Sequence, residues 1–340
     1  MRVLVLGGTG YIGSRLCTSL QGSGWATPVG ASARRLVPGI ESRRVDSRDR
    51  AGLRAALRGI DAVVNCVAGD ADSIAGGAKA LAQAALDAGC SRVVHLSSMS
   101  VYGAAEGRID EMAPLDPSLG WYGRAKCEAE RHVAAVAQAG GTVVILRPGC
   151  VWGPGSQLWV GRVARWLRAA RLGDLGIAGD GWTNGVHVGD VCRAVMASLR
   201  VTEPGTQIYN LAAPDSPRWN EYFVDLALAI GATPVRRIGP RQLQVDAWLA
   251  GPPLKAAALV LKRLGRAGAS LPDPLPPGLL GLWERHLLLD ASAATGALGL
   301  RWTPYAPTLR QSAAWFLRGQ GDGPIRPADE AQSDGQGTPV

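Results

Sequence analysis

The feature that most constrains the fold is a run of glycines near the start of the chain. Residues 3–6 form a short β-branched run, and a stretch with helical spacing covers residues 11–20. Between them, Gly7, Gly10 and Gly13 would allow a tight turn, a close backbone approach to a pyrophosphate and close packing of the following helix. This position favours a dinucleotide-binding loop over an ordinary glycine-rich turn. The predicted cofactor-binding residues of the loop are Gly7, Thr9, Gly10, Tyr11, Ile12 and Gly13.

Strand-like and helix-like segments alternate through the first half of the chain. Further strand candidates lie at 27–31, 43–45, 62–67 and 92–96, and an alanine-rich helix at 78–88 is followed by Gly89. Alternation of this kind predicts a parallel sheet with helices on both faces and right-handed crossovers. The sequence therefore predicts an α/β fold with a Rossmann-type, doubly wound parallel sheet.

The character of the sequence changes after Arg147-Pro148. Of the 11 tryptophans, all but one follow Gly120, and residues 252–281 are rich in Pro, Gly and Leu. Strand-like runs at 185–188 and 207–211 suggest that the chain re-enters the sheet. We expect a dinucleotide-binding domain, a mostly C-terminal substrate-binding lobe and a polar, disordered tail. Their predicted bounds are 1–152 rejoined by about 186–215, about 153–185 with 216–317, and 318–340.

Composition excludes several classes of protein. With 47% hydrophobic and 19% charged residues, the chain is too apolar to be disordered. No apolar run reaches the ~18–20 residues of a membrane span, and a strand starting at Arg2 leaves no room for a signal peptide. We therefore expect a cytoplasmic enzyme. The six scattered cysteines form no CxxC pair, which indicates neither a zinc site nor a disulfide framework.

The net charge of +8 is mostly local. Residues 235–266 hold much of the excess of basic residues and a single acidic residue, Asp246. The basic residues are interleaved with Leu, Ala and Pro and lack a nucleic-acid-binding motif, so we expect no nucleic-acid partner. Helix-like spacing at 253–265 fits a solvated helix face. It also fits a lobe that contacts an anionic membrane surface peripherally or receives an acidic or lipid-like substrate.

The end of the second predicted strand bears on the choice of cofactor. NAD-preferring Rossmann proteins place an acidic residue there, which accepts hydrogen bonds from the adenosine ribose. This chain has no acid in that region but two arginines, Arg34 and Arg35. Guanidinium groups suit a 2′-phosphate, so the sequence favours NADP(H) over NAD(H). Two solvated loop arginines are the alternative interpretation.

A Tyr-x-x-x-Lys motif supplies the candidate catalytic pair. On a helix, Tyr122 and Lys126 lie one turn apart on the same face. An ammonium group near a phenol stabilises the phenolate and lowers the pKa of the tyrosine. Such a tyrosine can exchange a proton with an alcohol or ketone while hydride moves to or from a nicotinamide.

These motifs together resemble the extended branch of the short-chain dehydrogenase/reductase superfamily, the NAD-dependent epimerase/dehydratase family. The glycine spacing is GxxGxxG, and the serine cluster before Val101-Tyr102-Gly103 precedes the Tyr/Lys pair. Segments 146–155, 186–191 and 298–304 are similar to later family elements. The resemblance covers about residues 2–317, nearly the whole chain.

The resemblance implies specific roles for residues outside the glycine loop. Ser98 would hold the substrate oxygen against Tyr122, with Ser97 and Ser100 as second choices. Asp46, followed by Ser47, would contact the adenine amino group. Val67 and Pro148 are assigned to the cofactor site by the same resemblance. Relatives commonly dimerise through the helices that follow Ser98 and Tyr122, so a homodimer is one expectation.

Departures from the family pattern bear on the substrate. Met99 and Ser100 stand where 4,6-dehydratases carry an Asp-Glu pair, which argues against sugar dehydration. Residues 181–187 lack the arginine with which epimerases neutralise a substrate diphosphate, leaving other cations such as Arg162, Arg165 or Arg218. Residues 243–289 are similar to the lobe of 3β-hydroxysteroid-dehydrogenase-like and dihydroflavonol-reductase-like members. Six tryptophans are candidate walls of the site, although such residues are most often core: Trp159, Trp166, Trp182, Trp219, Trp248 and Trp283.

We therefore expect an NAD(P)(H)-dependent oxidoreductase that interconverts a secondary alcohol and a ketone on a small, rather hydrophobic substrate. A nucleotide-sugar epimerase using the same Ser98, Tyr122 and Lys126 is the alternative. A non-catalytic NADP(H) sensor is a minor alternative, since sensors of this fold typically lack the Tyr/Lys pair.

Overall fold

A seven-stranded parallel sheet forms the centre of the molecule. The computed structural model describes residues 1–118, 120–250 and 275–320. The spatial order of the strands is β3-β2-β1-β4-β5-β7-β10, and every neighbouring pair is parallel. This arrangement confirms the predicted doubly wound α/β fold. The strands are β1 (Arg2–Leu6), β2 (Thr27–Ser32), β3 (Ser42–Arg44), β4 (Ala62–Asn65), β5 (Arg92–Leu96), β7 (Thr142–Pro148) and β10 (Gly205–Leu211).

Helices and short strands complete the described part of the chain. Four short strands form two-stranded parallel sheets: β6 (Gly107–Ile109) with β11 (Leu287–Leu289), and β8 (Val151–Trp152) with β9 (Val186–His187). The helices are α1 (Tyr11–Gln21), α2 (Arg50–Ala56), α3 (Gly77–Ala88), α4 (Gly120–Gln138), α5 (Arg162–Arg168), α6 (Val188–Ser198), α7 (Trp219–Ala229), α8 (Pro240–Val245), α9 (Gly278–Trp283), α10 (Ser292–Ala297) and α11 (Tyr305–Trp315).

The interior strand β1 is apolar along its length after Arg2 because helices cover both faces of the sheet. Val3 and Val5 pack on one side with residues of α1 and α6. Leu4 and Leu6 point to the other side and pack with residues of α2, α3 and α4. All four side chains are essentially inaccessible to solvent. The alternation of strand side chains between the two faces thus creates two separate cores from one short segment.

A third core, separate from the two that flank the sheet, is rich in aromatic residues, and we call the region around it the lobe. Trp166, Trp219 and Trp283 are almost fully buried and pack together with Phe223. The ring centroids of Phe223 and Trp283 lie 5.3 Å apart in an edge-to-face arrangement. Trp159 packs in the same core. These five side chains therefore lie together inside this core, as large aromatic residues commonly do.

Two sequence expectations differ from the structure. The run at 185–188 does not re-enter the main sheet: Val186–His187 pairs with Val151–Trp152, and α6 begins directly at Val188. The extended stretch is too short to span the sheet before the helix starts. The predicted disordered tail also differs at its start, because its first residues, 318–320, belong to the helical turn Phe316–Gln320.

The rest of the predicted tail, 321–340, and the basic run at 253–265 lie outside the described residues. The division of the chain into a dinucleotide-binding domain and a lobe stays a prediction. Among the described residues, no helix combines the length and the apolar character needed to cross a membrane.

Candidate active site

The glycine loop makes a close turn between β1 and α1. The N–H groups of Gly7 and Gly8 both donate to the carbonyl oxygen of Ala31, at 2.9 and 3.0 Å. Gly7 has φ +82°, and a Cβ there would lie 2.8 Å from the carbonyl oxygen of Cys66. A Cβ on Gly13 would collide with the carbonyl oxygen of Gly7. The path of this loop therefore requires glycine at both positions.

The loop fits a dinucleotide pyrophosphate. Gly10 is the N-cap residue of α1, and no side chain caps the helix. The first-turn N–H groups, which include those of Tyr11, Ile12 and Gly13, have no partner within the helix. Their orientation and the positive end of the helix dipole favour an anion. Thr9 lies beside them, with its hydroxyl 3.1 Å from that of Ser32 at the end of β2.

The end of β2 carries cations and no carboxylate. Arg34 and Arg35 are both exposed, and neither forms an ion pair with a described residue. Arg44 on β3 lies opposite Ser32 in the sheet register. This edge thus offers guanidinium groups where an NAD-type site would offer an acid.

Asp46 and Ser47 follow β3 at the same edge. Asp46 accepts hydrogen bonds from the backbone N–H and the guanidinium of Arg48, and these bonds hold its pKa at about 2. Ser47 packs against Gly77 at the start of α3. Val67 follows β4, and its N–H donates to the side-chain oxygen of Asn65 at 3.1 Å. Pro148 is buried at the end of β7.

Tyr122 and Lys126 lie one turn apart on α4, as the motif predicts. The ammonium nitrogen of Lys126 is 5.8 Å from the centroid of the Tyr122 ring. Both residues are almost fully buried. The ammonium donates to the carbonyl oxygen of Leu96 at 2.8 Å, and burial lowers the pKa of Lys126 to about 8. The structure thus holds a poorly solvated cation beside the phenol.

The three candidate serines have different hydrogen-bond partners. Ser98 Oγ accepts from the N–H of Ser100 at 3.2 Å and caps the helical turn Met99–Tyr102, which leaves the hydroxyl hydrogen for another acceptor. Ser97 Oγ donates to Glu130 Oε1 at 2.5 Å. Ser100 Oγ is buried and finds no partner within the described ranges. The hydroxyl hydrogen of Ser97 is therefore engaged by Glu130, whereas no described residue accepts the hydroxyl hydrogen of Ser98 or Ser100.

A buried ion pair between Arg147 and Glu130, which also binds Ser97, was not predicted from the sequence. Arg147 contacts both carboxylate oxygens of Glu130, at 2.7 and 3.0 Å, and also donates to Tyr102 Oη at 2.9 Å. Tyr102 in turn donates to the side-chain oxygen of Asn210 on β10 at 2.6 Å. The network joins α4, β7 and β10 around the serine turn. The spacing of Glu130 four residues after Lys126, on the same helix face, was the available signal.

The buried polar pair of Asn65 and His95, which feels the charge of Lys126, was also not predicted from the sequence. Asn65 and His95 are paired in the register of β4 and β5, and their side-chain nitrogens lie 3.1 Å apart. Burial, together with the charge of Lys126, lowers the pKa of His95 to about 3. The ring is therefore neutral at ordinary pH, and Lys126 is the charged group of this cluster. Polar residues at the carboxyl ends of two apolar strands could have indicated this pair, because ligands of open α/β sheets bind at those ends.

A small cavity lies on the lobe side of the serine turn. It is lined by Met99, Ser100, Trp182, Asn184, Leu282, Arg285 and Leu287. The amide of Asn184 is fully engaged, because it donates to the carbonyl oxygen of Leu287 and accepts from the N–H of Leu289, both at 2.8 Å. Sequence reasoning missed Arg285, which follows the lobe's apolar α9.

The other expected lobe residues lie elsewhere. Arg218 stacks over the Trp182 ring at 4.5 Å and pairs with Asp180 at 3.1 Å. Arg162 is buried with its guanidinium 5.4 Å from the Trp166 ring. Trp248 is 55% exposed. Of the six candidate tryptophan walls, Trp182 is the one that lines this cavity.

Comparison with known proteins identifies the family of the chain. Residues 3–212 match the model of the NAD dependent epimerase/dehydratase family. A 2-alkyl-3-oxoalkanoate reductase of Stenotrophomonas maltophilia (strain K279a) is 30% identical over 268 residues, which cover 68% of this chain and 76% of that protein. Protein YeeZ of Escherichia coli (strain K12) is 28% identical over 251 residues, or 69% and 86% of the two chains.

A solved structure extends the likeness into the lobe. MoeE5, in complex with UDP-glucose and NAD, superposes with a TM-score of 0.71 at 26% identity and covers 94% of this chain and 99% of its own. With the glycine loop and the sheet topology, these matches show that the chain belongs to the NAD dependent epimerase/dehydratase family and is an NAD(P)-dependent enzyme of the extended short-chain dehydrogenase/reductase type.

Proposed function

We propose that the enzyme interconverts a secondary alcohol and a ketone by hydride transfer, on a small and rather hydrophobic substrate. The observation that carries this proposal is the buried pair of Tyr122 and Lys126, whose ammonium donates to the carbonyl oxygen of Leu96, two residues before Ser98. The apolar walls of the neighbouring cavity, Met99, Leu282 and Leu287, favour a hydrophobic substrate. The relative named a 2-alkyl-3-oxoalkanoate reductase supports the reductase assignment.

The proposed roles follow from the contacts. In the direction of reduction, a nicotinamide cofactor held by the glycine loop would supply the hydride for the carbonyl carbon. Tyr122 gives its phenolic proton to the carbonyl oxygen, and the resulting phenolate is stabilised by the Lys126 ammonium. Ser98 donates its hydroxyl hydrogen to the same oxygen and orients it. In the direction of oxidation, the Tyr122 phenolate accepts the proton of the substrate hydroxyl as hydride leaves the carbon, and Ser98 keeps its own proton throughout.

Lys126 has a second proposed role. Its ammonium uses one donor on the carbonyl oxygen of Leu96, which fixes the side chain, and has donors left for the nicotinamide ribose. The neutral His95 below it adds no competing positive charge. The cluster therefore concentrates one cation at the place where a phenolate would form.

Tyr122→Phe tests the reaction directly. Oxidation of NADPH would be followed with 2-octanone, 3-oxooctanoate and methyl 3-oxooctanoate, and we expect kcat to fall by about 10²–10⁴-fold while cofactor affinity is nearly unchanged. Tyr209→Phe removes a hydroxyl from a partly exposed tyrosine on β10 and serves as the matched control. A Tyr122→Phe enzyme with normal turnover would contradict the assignment.

A nucleotide-sugar epimerase is the second candidate, and the likeness to MoeE5 with bound UDP-glucose favours it. An epimerase would use Ser98, Tyr122 and Lys126 in the same way, but the oxidised substrate would take the hydride back. The two functions differ in one measurement. Net consumption of reduced cofactor indicates the reductase, whereas conversion of UDP-glucose without net consumption indicates the epimerase.

We infer that NADP(H) is preferred over NAD(H). The exposed Arg34 and Arg35 at the end of β2, where no acid is present, support this preference. The assignments of Asp46, Ser47, Val67 and Pro148 to the cofactor site remain proposals carried by the family resemblance. The homodimer, the peripheral membrane contact, the absence of a nucleic-acid partner and the cytoplasmic location stay predictions.

A further inference from the structure

Arg285 is a cation without a counter-ion in the cavity beside the serine turn. Its guanidinium forms no hydrogen bond or ion pair with any residue in the described parts of the chain. Asp116 and Glu106 are the acidic groups that influence it from a distance. Asp116 already accepts from the N–H groups of Ala104 and Ser118. Burial lowers the pKa of Arg285, since water solvates the cation poorly.

A second unpaired donor lines the same cavity. Ser100 Oγ is buried, with the residue 6% exposed, and no described residue bonds to it. The other polar group at the cavity, the amide of Asn184, is engaged by Leu287 and Leu289. The cavity therefore combines one guanidinium and one hydroxyl with apolar walls. The buried Ser100 hydroxyl is costly without a partner, and the half-buried guanidinium of Arg285 lines the same cavity, so the two groups together favour a ligand that accepts hydrogen bonds.

The cavity adjoins the proposed reaction centre. The N–H of Ser100 donates to Ser98 Oγ at 3.2 Å. The carbonyl oxygen of Ser100 is so close to α4 that a Cβ on Gly123, the residue after Tyr122, would lie 2.7 Å from it. A group bound by Ser100 and Arg285 would therefore lie next to the turn that holds Ser98 and near the start of α4.

We propose that Arg285 and Ser100 bind a carboxylate of the substrate, so that the substrate is an oxo acid, or the corresponding hydroxy acid, with the carboxylate close to the reacting carbon. This inference deepens the proposed alcohol and ketone chemistry and rests on it. A planar guanidinium matches a single carboxylate in a two-bond contact. A diphosphate would require further positive charge, and Arg218, the arginine stacked on Trp182, already pairs with Asp180.

The test compares an acid with its neutral ester. Reduction of 3-oxobutanoate, 3-oxooctanoate and 3-oxododecanoate would be measured against their methyl esters in the wild type and in Arg285→Gln. We expect the wild type to prefer the acids, and Arg285→Gln to lower kcat/KM for the acids by about 10–100-fold and for the esters by less than about threefold. Arg285→Lys should lose less than Arg285→Gln, and Ser100→Ala about 3–10-fold for the acids.

A binding measurement separates recognition from turnover. Octanoate, which cannot be reduced, would be titrated calorimetrically into the enzyme, and its affinity should fall by the same factor as kcat/KM for the acids in Arg285→Gln. Arg108→Gln is the matched control, because Arg108 is an exposed arginine on neighbouring β6 that pairs with Asp290. It removes the same charge without touching the cavity, and both substrates should be unaffected.

The outcomes distinguish failure of this inference from failure of the proposed function. Equal losses for acids and esters in Arg285→Gln, or a wild type that reduces esters but no acid, would overturn the carboxylate site and leave the reductase intact. A wild type that epimerises UDP-glucose and oxidises no NADPH with any of these ketones would overturn the proposed function itself.

Discussion

The cofactor side and the lobe side of the site are built in different ways. On the cofactor side, backbone atoms form most of the site: Gly7 and Gly13 set the path of the loop, and no side chain caps the first turn of α1. On the lobe side, side chains such as Arg285 and Trp182 line the cavity. Backbone geometry permits few residue types, whereas a side-chain wall can be built from many. The two sides should therefore respond differently to substitution.

The largest difference is expected between two glycines. Gly13→Ala places a methyl group against the carbonyl oxygen of Gly7, so we expect cofactor affinity to fall by at least about tenfold or the fold to be lost. Gly281→Ala, on lobe helix α9, meets nothing within 4 Å. We expect it to stabilise the protein by about 0.5–1 kcal/mol through helix propensity.

Fluorescence titration with NADPH and thermal unfolding would check both glycine variants. A Gly13→Ala protein that binds cofactor as tightly as the wild type would show that the path of the loop does not require glycine at position 13.

The second largest effect is expected at the buried ion pair of Arg147 and Glu130. Arg147→Met leaves the Glu130 carboxylate buried without its counter-ion, and we expect the free energy of unfolding to fall by about 3–5 kcal/mol. Arg50→Met removes a mostly exposed pair with Asp87 and should cost no more than about 1 kcal/mol. Urea unfolding measures both. Similar losses in the two variants would show that burial of the Arg147 pair is not decisive.

The smallest effect is expected at the exposed edge of the cofactor side. Replacing both Arg34 and Arg35 with alanine should reduce the preference for NADPH over NADH by about tenfold, because solvent weakens exposed charge pairs. Arg54→Ala removes an exposed charge on α2 as a control. Parallel titrations with the two cofactors decide the point, and a wild type that binds NADH more tightly would refute the inferred preference.

The sequence predicted the cofactor side better than the lobe side for the same physical reason. The glycine spacing and the apolar strands have few structural solutions, so the loop, the parallel sheet and the end of α3 before Gly89 could all be anticipated. The juxtaposition of Tyr122 and Lys126 follows from helix geometry alone.

Contacts between residues that are far apart in the sequence could not be predicted from local patterns. Arg285 and Ser100 line the same cavity although 185 positions separate them in the sequence, and no periodicity links the two. The same holds for Asn210, which bonds to Tyr102 across 108 positions. The run at 185–188 was misplaced because local strand character does not reveal which partner a strand will find. Ser97 and Ser98 are neighbours of identical chemistry, and only their contacts with Glu130 and Ser100 distinguish them.

The engaged amide of Asn184 also affects the chemical durability of the protein. Asn184 precedes Gly185, and an Asn-Gly step ages by attack of the glycine nitrogen on the amide carbon, with loss of ammonia. In the fold, the N–H of Gly185 donates to Ser216 Oγ, and both ends of the Asn184 amide are held by the backbone of β11. Attack would require these bonds to break in a buried environment. The contacts that hold Asn184 in the cavity lining therefore also protect the Asn184-Gly185 step from deamidation.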